Sequence, residues 1–544
     1  MNLKFSCREM NSAATPSIVI SHPPGFRARR GLNWSLVGLL YTSFYMCRYN
    51  LSIANGAISK EFGFSYADMG KIITTSLLAY ACGQILNGLM TDRLGGKKAM
   101  LIGAAGTITM NIIFGVASFW GILGLFIVIR GIDGYMQAFG APGMVKINAA
   151  WFAHRERGRF AGIFGFMINL GRFGIFKLGP ALLAGFLFVG MWHVPPLHWR
   201  WLFWVPSIIC AIVAAAMALV VKETPEECGF QNCGGETSGN DRAASWGELG
   251  GVFRAIVRNP MVWITALAYA CTGAVRQSID QWFPRFAQDV YHLDFKSDQF
   301  QWLAFLIPFV ASAGSLLSGY MSDLLFKGAR APVAAGLYLL ETLVILTAAQ
   351  FHSANAAVFF LVLISLTANS THSILGTAAA MDIGGRKMAG FVSGVIDSFQ
   401  YFGGSLAGYF LGQLIQKNWD YYFYFMAPFG LIGGLLMLTL VRKRDPVAEM
   451  SWLDRQYAST SLLVICSSII GISLVCALWG YLFPASFLIL LFCLLIGFIG
   501  GVFCKSPKAH HKALIILICQ IALPLLVFIV VMWIIPFMIQ IAHL

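Results

Sequence analysis

Residues 88–98, GLMTDRLGGKK, form a short basic loop between two apolar runs, and residues 319–330, GYMSDLLFKGAR, repeat its pattern. In each copy a glycine is followed four positions later by an aspartate and then by basic residues. The two aspartates, Asp92 and Asp323, are 231 positions apart (323 − 92). A motif that returns at such a distance indicates an internal duplication of the chain.

Two further pairs recur at nearly the same offset. Arg48 and Arg276 are 228 positions apart (276 − 48), and so are Gly162 of RFAG and Gly390 of KMAG (390 − 162). Three independent features at nearly one offset predict two homologous halves, related by an axis along the membrane normal.

The membrane assignment comes from composition. The 544 residues are 58% hydrophobic and 11% charged, with a mean hydropathy of +0.71, which excludes an ordinary soluble domain. Runs long enough to cross a bilayer as helices are predicted as spans 1 to 12 at residues 33–57, 67–91, 99–118, 120–148, 160–190, 199–221, 260–290, 298–322, 331–351, 354–382, 388–416 and 419–441. Three more apolar runs follow at 460–481, 484–504 and 512–542.

We therefore expect an all-α polytopic protein made of two six-helix bundles. The predicted organisation is a basic tail 1–32, a first bundle 33–221, a linker 222–259, a second bundle 260–442, a linker 443–459 and additional spans in 460–544. The role of these last spans, whether they contact the bundles, a membrane partner or only lipid, is left open.

Basic residues are concentrated in alternate loops, as the positive-inside rule requires. The tail contains Arg27, Arg29 and Arg30 but no apolar segment of a signal peptide, so we expect it on the cytoplasmic side of the inner membrane. This topology accounts for the net charge of +14, and no basic face with interleaved aromatics indicates nucleic-acid binding. The 12 cysteines lack metal-ligand or paired spacing, and no catalytic set is recognisable. The sequence thus predicts neither an enzyme nor a cofactor.

The most unusual residue of span 1 is the arginine in FYMCRYNLSIANG, residues 44–56. A guanidinium in the middle of a membrane helix costs at least about 2.5 to 3.5 kcal/mol on insertion scales, so it indicates a functional site. Arg48 lies roughly 21 Å and Arg276 roughly 24 Å from the start of their spans at 1.5 Å per residue, so both are deep in the bilayer.

Beyond the loop at 88–98, several segments identify a family: Tyr41 and Tyr45 before Arg48, GYMQAFGAPGMVK (134–146), WFAHRERG (151–158), KETPEECGF (222–230) and VRQSIDQWFP (275–284). Over residues 33–445 the chain resembles the organophosphate:phosphate antiporters of the major facilitator superfamily. This resemblance implies exchange of an organic phosphate for inorganic phosphate by alternating access. It also implies that Arg48 and Arg276 bind the phosphate, with Tyr45, Tyr41 and Tyr401 nearby, and that a conformational latch is formed by Gly88, Asp92, Arg93, Gly319 and Asp323.

The chain departs from the family pattern at two positions. The family's lysine of span 2 falls on Gln84, and its histidine of span 5 falls on Ile168, beside Asn169. Other ionisable residues inside the spans are candidates for coupling or for charge pairing: Asp133, Arg172, Lys177, Asp280, Asp397 and His372. Asp280 is four residues after Arg276, on the same helical face, so it is also a candidate ion-pair partner.

Three functions remain open at this point. The first is an exchanger of organic and inorganic phosphate that acts as a monomer. The second is a membrane sensor of an external sugar phosphate that signals through the additional helices. The third is a proton-coupled transporter of another organic anion that uses Asp280 or Asp397.

Overall fold

The computed structural model describes residues 23–152, 157–188, 192–230, 258, 260–326, 330–379 and 394–441. The predicted additional spans in 460–544, the linker 443–459, and most of the tail and of the central linker lie outside these ranges, as do the side chains of Asp92 and Asp323.

The described residues form two helical bundles. The first contains α1 (Phe26–Phe62), α2 (Tyr66–Leu94), α3 (Gly96–Ala117), α4 (Leu123–Gln137), α5 (Gly140–Trp151), α6 (Arg157–Ala184) and α7 (Trp201–Val220). The second contains α8 (Pro260–Tyr291), α9 (Asp298–Leu325), α10 (Arg330–Ala348), α11 (Ala354–Ser373), α12 (residues 394–405), α13 (Tyr409–Lys417) and α14 (Tyr421–Val441). A π-helical turn, Ile374–Ala379, continues α11.

These bundles correspond to the predicted two sets of six spans, with spans 4 and 11 each built from two helices. In span 4, the N–H groups of Ala138 and Phe139 bond to carbonyls three residues earlier, at 3.2 Å each, between α4 and α5. Pro142, which has no N–H to donate, follows this tight turn. In span 11, the N–H groups of Leu406, Ala407 and Gly408 bond to carbonyls three residues earlier, at 3.0 to 3.1 Å, between α12 and α13.

Span 5 is shorter than predicted. The prediction of a helix to residue 190 is wrong, because α6 ends at Ala184 and Gly185 adopts a left-handed φ of +78°. A two-stranded antiparallel hairpin follows, formed by β1 (Phe186–Phe188) and β2 (Trp192–Val194).

The distribution of polarity is that of a membrane protein. Among the described residues, seven helical segments are long and apolar enough to span a bilayer: Tyr66–Thr91, Gly96–Trp120, Gly165–Ala184, Trp201–Val220, Arg330–Ala348, Ala354–Gly376 and Tyr421–Val441. Their outward faces expose large apolar side chains, such as Leu219 at 83% and Leu343 at 63%. Charged and polar side chains occupy the interior instead, on α1 and α8 above all.

Among the described residues, the pairs of helices along which the bundles meet include α1 with α8, α2 with α13, and α6 with α9. The repeat explains this set, because spans 2 and 11 are the counterparts of spans 8 and 5. At the centre, Ser52 donates a 2.8 Å hydrogen bond to the carbonyl of Asp280, its own equivalent at the offset of 228 (280 − 52). The pseudo-twofold axis therefore passes between α1 and α8.

Contacts between the bundles close one end of the molecule, the end where α1 stops and α2 starts. We call this the sealed end. Arg285 donates to the side-chain oxygen of Asn55 at 3.1 Å, and Tyr66 donates to Asp289 at 2.7 Å. Gly70 and Gly408 allow the backbones of α2 and span 11 to touch, since a Cβ on Gly70 would lie 2.5 Å from the Gly408 carbonyl oxygen.

We expect Gly70→Val to prevent closure of the sealed end, because the added side chain overlaps backbone atoms that cannot turn away. A cysteine introduced at Ser52 should then react with a membrane-impermeant maleimide at least about tenfold faster than in the Gly70 background. Gly124→Ala is the matched control, because a Cβ there meets nothing within 4 Å. Equal labelling rates in the Gly70→Val and Gly70 backgrounds would show that the glycine contact does not hold this end shut.

Candidate functional site

Arg48 and Arg276 are buried at the interface between the bundles, with exposed fractions of 4% and 2%. Arg48 lies on α1 and Arg276 on α8, and both guanidinium groups act electrostatically on Tyr45 and Asp397. The Arg48 Nη1 donates to the Tyr401 hydroxyl at 3.0 Å. The structure thus gathers residues from three spans around the two arginines.

The Arg48 guanidinium forms cation–π contacts with neighbouring tyrosine rings. Its Cζ lies 4.5 Å from the ring centroid of Tyr45 and 4.2 Å from that of Tyr80. Tyr41 packs edge-on against Tyr45, with centroids 5.3 Å apart. Such contacts stabilise a cation that has been removed from water, by roughly 2 kcal/mol when desolvated.

Three polar residues of α4, linked by hydrogen bonds, orient the same guanidinium. The Arg48 Nε donates to Gln137 Oε1 at 2.9 Å, and the Gln137 amide donates to both oxygens of Asp133 at 3.0 Å. Asp133 forms a 2.8 Å salt bridge with Arg130, which also donates to the Arg48 carbonyl at 2.9 Å. Asp133 is therefore a pairing and positioning residue rather than an isolated carboxylate.

Several donors of the two arginines have no hydrogen-bond partner among the described residues: Arg48 Nη2, Arg276 Nε and Arg276 Nη1. Leaving a charged buried donor unsatisfied costs more than about 1 to 3 kcal/mol, so such groups call for an explanation. An anion placed between the two guanidinium groups would satisfy them.

Asp280 links the bundles beside this pair. Its side chain accepts from Arg172 of α6, from the Tyr49 hydroxyl at 3.0 Å, and lies 3.8 Å from the Arg276 Nε. Arg172 also donates to Asn169 Oδ1 at 3.0 Å. Both Arg172 and Asp280 are fully buried. The i+4 partner predicted for Arg276 thus makes its shorter contact with the opposite bundle.

Two predicted site residues occupy other places. Lys177 donates to the Gln301 side chain at 2.7 Å, near the start of α9 and towards the sealed end, away from the arginine pair. Gln84 donates to the Tyr80 hydroxyl at 2.8 Å, so it reaches Arg48 only through that ring. Of the predicted latch, Gly88 has open space around it, since a Cβ there would meet nothing within 4 Å.

Three residues with a place in this interior were absent from the prediction: Arg130, Tyr269 and Glu341. Arg130 could have been found by the argument used for Arg48, since it is a lone arginine in an apolar run. Tyr269 could have been found from the repeat, because it lies 228 positions after Tyr41 (269 − 41). Glu341 lies in the middle of α10, fully buried, and neither of its carboxyl oxygens has a hydrogen-bond partner in the described ranges.

A cavity of about 10 Å³ lies next to Arg48, lined also by Arg130, Gln137, Gln281 and Tyr80. This volume holds about one water molecule, whereas a phosphate is several times larger. Binding of a larger anion therefore requires the bundles to separate at this level.

Comparison with known proteins gives the family. Residues 37–408 match the model of the Major Facilitator Superfamily. A probable hexose phosphate transport protein of Chlamydia trachomatis is 26% identical over 73% of this chain and 88% of that protein. The glycerol-3-phosphate transporter of Bacillus subtilis is 26% identical over 73% and 86%, and the membrane sensor protein UhpC of Salmonella typhimurium is 25% identical over 75% and 91%.

Solved structures show the same fold. A bacterial homologue of the human lysosomal transporter Spinster, in an inward-facing and unoccupied conformation, aligns with a TM-score of 0.64 and 17% sequence identity. The alignment covers 77% of this chain and 99% of that one. The described helices, the duplicated halves and these matches agree: the chain belongs to the Major Facilitator Superfamily of multi-pass membrane transporters, among relatives of the organophosphate:phosphate antiporter family.

Proposed function

We propose that this protein exchanges an organic phosphate, of the sugar phosphate or glycerol phosphate type, for inorganic phosphate. The observation that supports it most directly is the set of unpartnered donors on Arg48 and Arg276, one arginine from each bundle. The relatives named as hexose phosphate and glycerol-3-phosphate transporters support the same substrate class.

The exchange follows from electrostatics. Without substrate, the two guanidinium groups are like charges on opposite bundles in an interior of low dielectric constant, and their repulsion opposes closure of the bundles. A phosphate dianion neutralises both charges and accepts bidentate hydrogen bonds from both sides, so it draws the bundles together. Return of the carrier also requires an anion, and transport becomes an obligatory exchange.

The proposed orientation places the sealed end outside the cell. Basic residues are found at the opposite end of the first bundle: Arg27, Arg29, Arg30, Lys97, Lys98 and Lys146. The positive-inside rule assigns that end to the cytoplasm. The arginine pair would then receive its anion from the cytoplasmic side once the bundles separate at the level of Arg48.

A sensing role is the second candidate, because a relative of similar identity is named a membrane sensor protein. Purified protein in proteoliposomes with trapped inorganic phosphate distinguishes the two functions. We expect counterflow of labelled phosphate into these vesicles, and no uptake into vesicles without internal anion. Phosphate binding without any flux would instead favour the sensor and contradict the exchanger.

A further inference from the structure

A second group of titratable side chains lies beside the arginine pair, and the exchange mechanism above does not use it. The Tyr269 hydroxyl of α8 makes a 2.5 Å hydrogen bond with His372 Nδ1 of α11 and donates to Asp397 Oδ1 of α12 at 3.4 Å. We call Asp397, Tyr269 and His372 the Asp397 cluster. It joins three helices of the second bundle.

Asp397 interacts with the same cations that would bind phosphate. The charged groups acting on it are Arg276 and Arg48, and the phenols coupled to it come from α1, α2, α8 and α12: Tyr41, Tyr45, Tyr80, Tyr269 and Tyr401. His372 is acted on by Arg276 and Arg172. No salt bridge of the described residues involves Asp397, whereas Asp280 is held by Arg172. Asp397 is thus an acid next to the arginine pair without a cation of its own.

The charge on Asp397 therefore depends on what else occupies the site. While the arginines have no other anion, their positive potential stabilises the Asp397 carboxylate. A phosphate dianion between the arginines cancels that potential and adds the repulsion of like charges. In a medium of low dielectric constant these two effects act in the same direction, and both favour the neutral carboxylic acid.

We propose that the Asp397 cluster is a proton-binding site linked to the substrate site, so that binding of a phosphate dianion to Arg48 and Arg276 is accompanied by uptake of one proton on Asp397. This inference rests on the proposed phosphate site and adds its coupling ion. By reciprocity, the proton raises the affinity for the dianion by the same factor as the dianion raises the affinity for the proton.

The proton has a defined route through the cluster. His372 is partly exposed; it takes a proton from water on Nε2 and passes its Nδ1 proton to the Tyr269 oxygen, while the Tyr269 hydroxyl proton moves to Asp397. The phenol regains a hydroxyl proton, the imidazole ends as the Nε2–H tautomer instead of the Nδ1–H tautomer, and one O–H bond is formed on the carboxylate. On release of the phosphate the steps reverse, so a proton travels with each dianion.

Inorganic phosphate binding to the purified full-length protein tests this inference. Titration calorimetry in buffers of different ionisation heat gives the number of protons taken up for each phosphate bound. The measurements are repeated over about pH 6 to 9, a range in which free phosphate itself gains and loses a proton. Asp397→Asn, which keeps the shape but cannot take up a proton, supplies the baseline. Proton uptake per bound phosphate is plotted against pH for both proteins, and we expect the difference between the two curves to approach one proton at its maximum. In that pH range, the phosphate affinity of the unmodified protein should fall by up to about tenfold per unit of rising pH, whereas that of Asp397→Asn should not.

Glu341→Gln is the matched control, since Glu341 is another buried carboxyl of the same bundle, and the groups that act on it do not include either arginine of the pair, whereas both arginines act on Asp397. It should take up protons as the unmodified protein does. If Asp397→Asn does not fold, Asp397→Ser replaces it, with gel filtration as the check on folding. Superimposed curves for the unmodified and the Asp397 variants, or loss of proton uptake in Glu341→Gln, overturn the proton site. A complete lack of phosphate binding at every pH would overturn the proposed exchanger itself.

Discussion

Replacing Arg276 or Arg48 by lysine is expected to abolish the proposed phosphate exchange, with a loss of at least about 100-fold in the exchange rate. Lysine keeps the positive charge but replaces a planar fork by a single ammonium group. Each variant loses a pair of parallel charge-assisted hydrogen bonds to phosphate, and bonds of this kind contribute about 1.5 to 3 kcal/mol each. The loss is greater than for most conservative substitutions because the two arginines act on one anion.

The measurement is exchange of labelled for unlabelled inorganic phosphate across proteoliposomes containing purified protein. Arg200→Lys is the control. Arg200 is a largely buried arginine that forms a 2.8 Å ion pair with Glu61, and it lies at the sealed end, away from Arg48 and Arg276. We expect it to retain exchange. Exchange at the unmodified rate in Arg48→Lys or Arg276→Lys would remove the arginine pair from the mechanism.

The second large effect is expected at the buried pair of Arg172 and Asp280. Asp280→Asn removes the only carboxylate that contacts Arg172 in the described residues, and it also takes away the carboxylate nearest to Arg276 among the described ion pairs. Breaking a buried ion pair in this way costs about 3 to 5 kcal/mol. The variant should therefore unfold at a clearly lower temperature in detergent than the unmodified protein.

The double variant Arg172→Gln with Asp280→Asn tests the reason. Removing both charges restores the balance that a single substitution destroys, so it should recover most of the lost stability. The pair of single variants and the double variant form a double-mutant cycle, measured by thermal unfolding of the purified proteins. Additive losses would show that the two side chains do not interact energetically, and would contradict the bridge between the bundles.

The fold was predictable because its signals are local and repeated. Bilayer thickness requires apolar runs of about 20 residues, and such runs can be read from the sequence alone. The offset between Arg48 and Arg276 then placed the two residues at equivalent depths in two halves. The contact of Ser52 with its equivalent, Asp280, agrees with that relation.

The ion-pair partners of the buried charged residues were less predictable than the fold. Helical periodicity pairs Arg276 with Asp280 on one helix, but the structure gives Asp280 a closer contact with Arg172, 108 positions earlier in the chain. Asp133 has its local partner, Arg130, in the i,i+3 relation. Pairing within a helix follows from spacing, whereas pairing between helices depends on how the bundles pack.

Some helix ends could be predicted from the sequence and others could not. Ser65 is a recognisable start for α2, since its hydroxyl accepts from the Asp68 N–H at 3.1 Å in a capping box. The end of α6 at Gly185 was missed, because a glycine within an apolar stretch is compatible with a continuing membrane helix and only its φ of +78° shows the break.

The sequence by itself determined that the chain crosses the membrane repeatedly, that its halves are duplicated and that one arginine lies deep in each half. These properties depend on hydrophobic length and on residue spacing, which act along the chain. Only the tertiary structure decided that Gln137 orients Arg48, that Arg172 holds Asp280 and that Asp397 has no salt bridge within the described part of the chain. Those arrangements arise from helices that are distant in sequence, and in a low-dielectric interior a charge is controlled by the few groups that packing brings within hydrogen-bond distance.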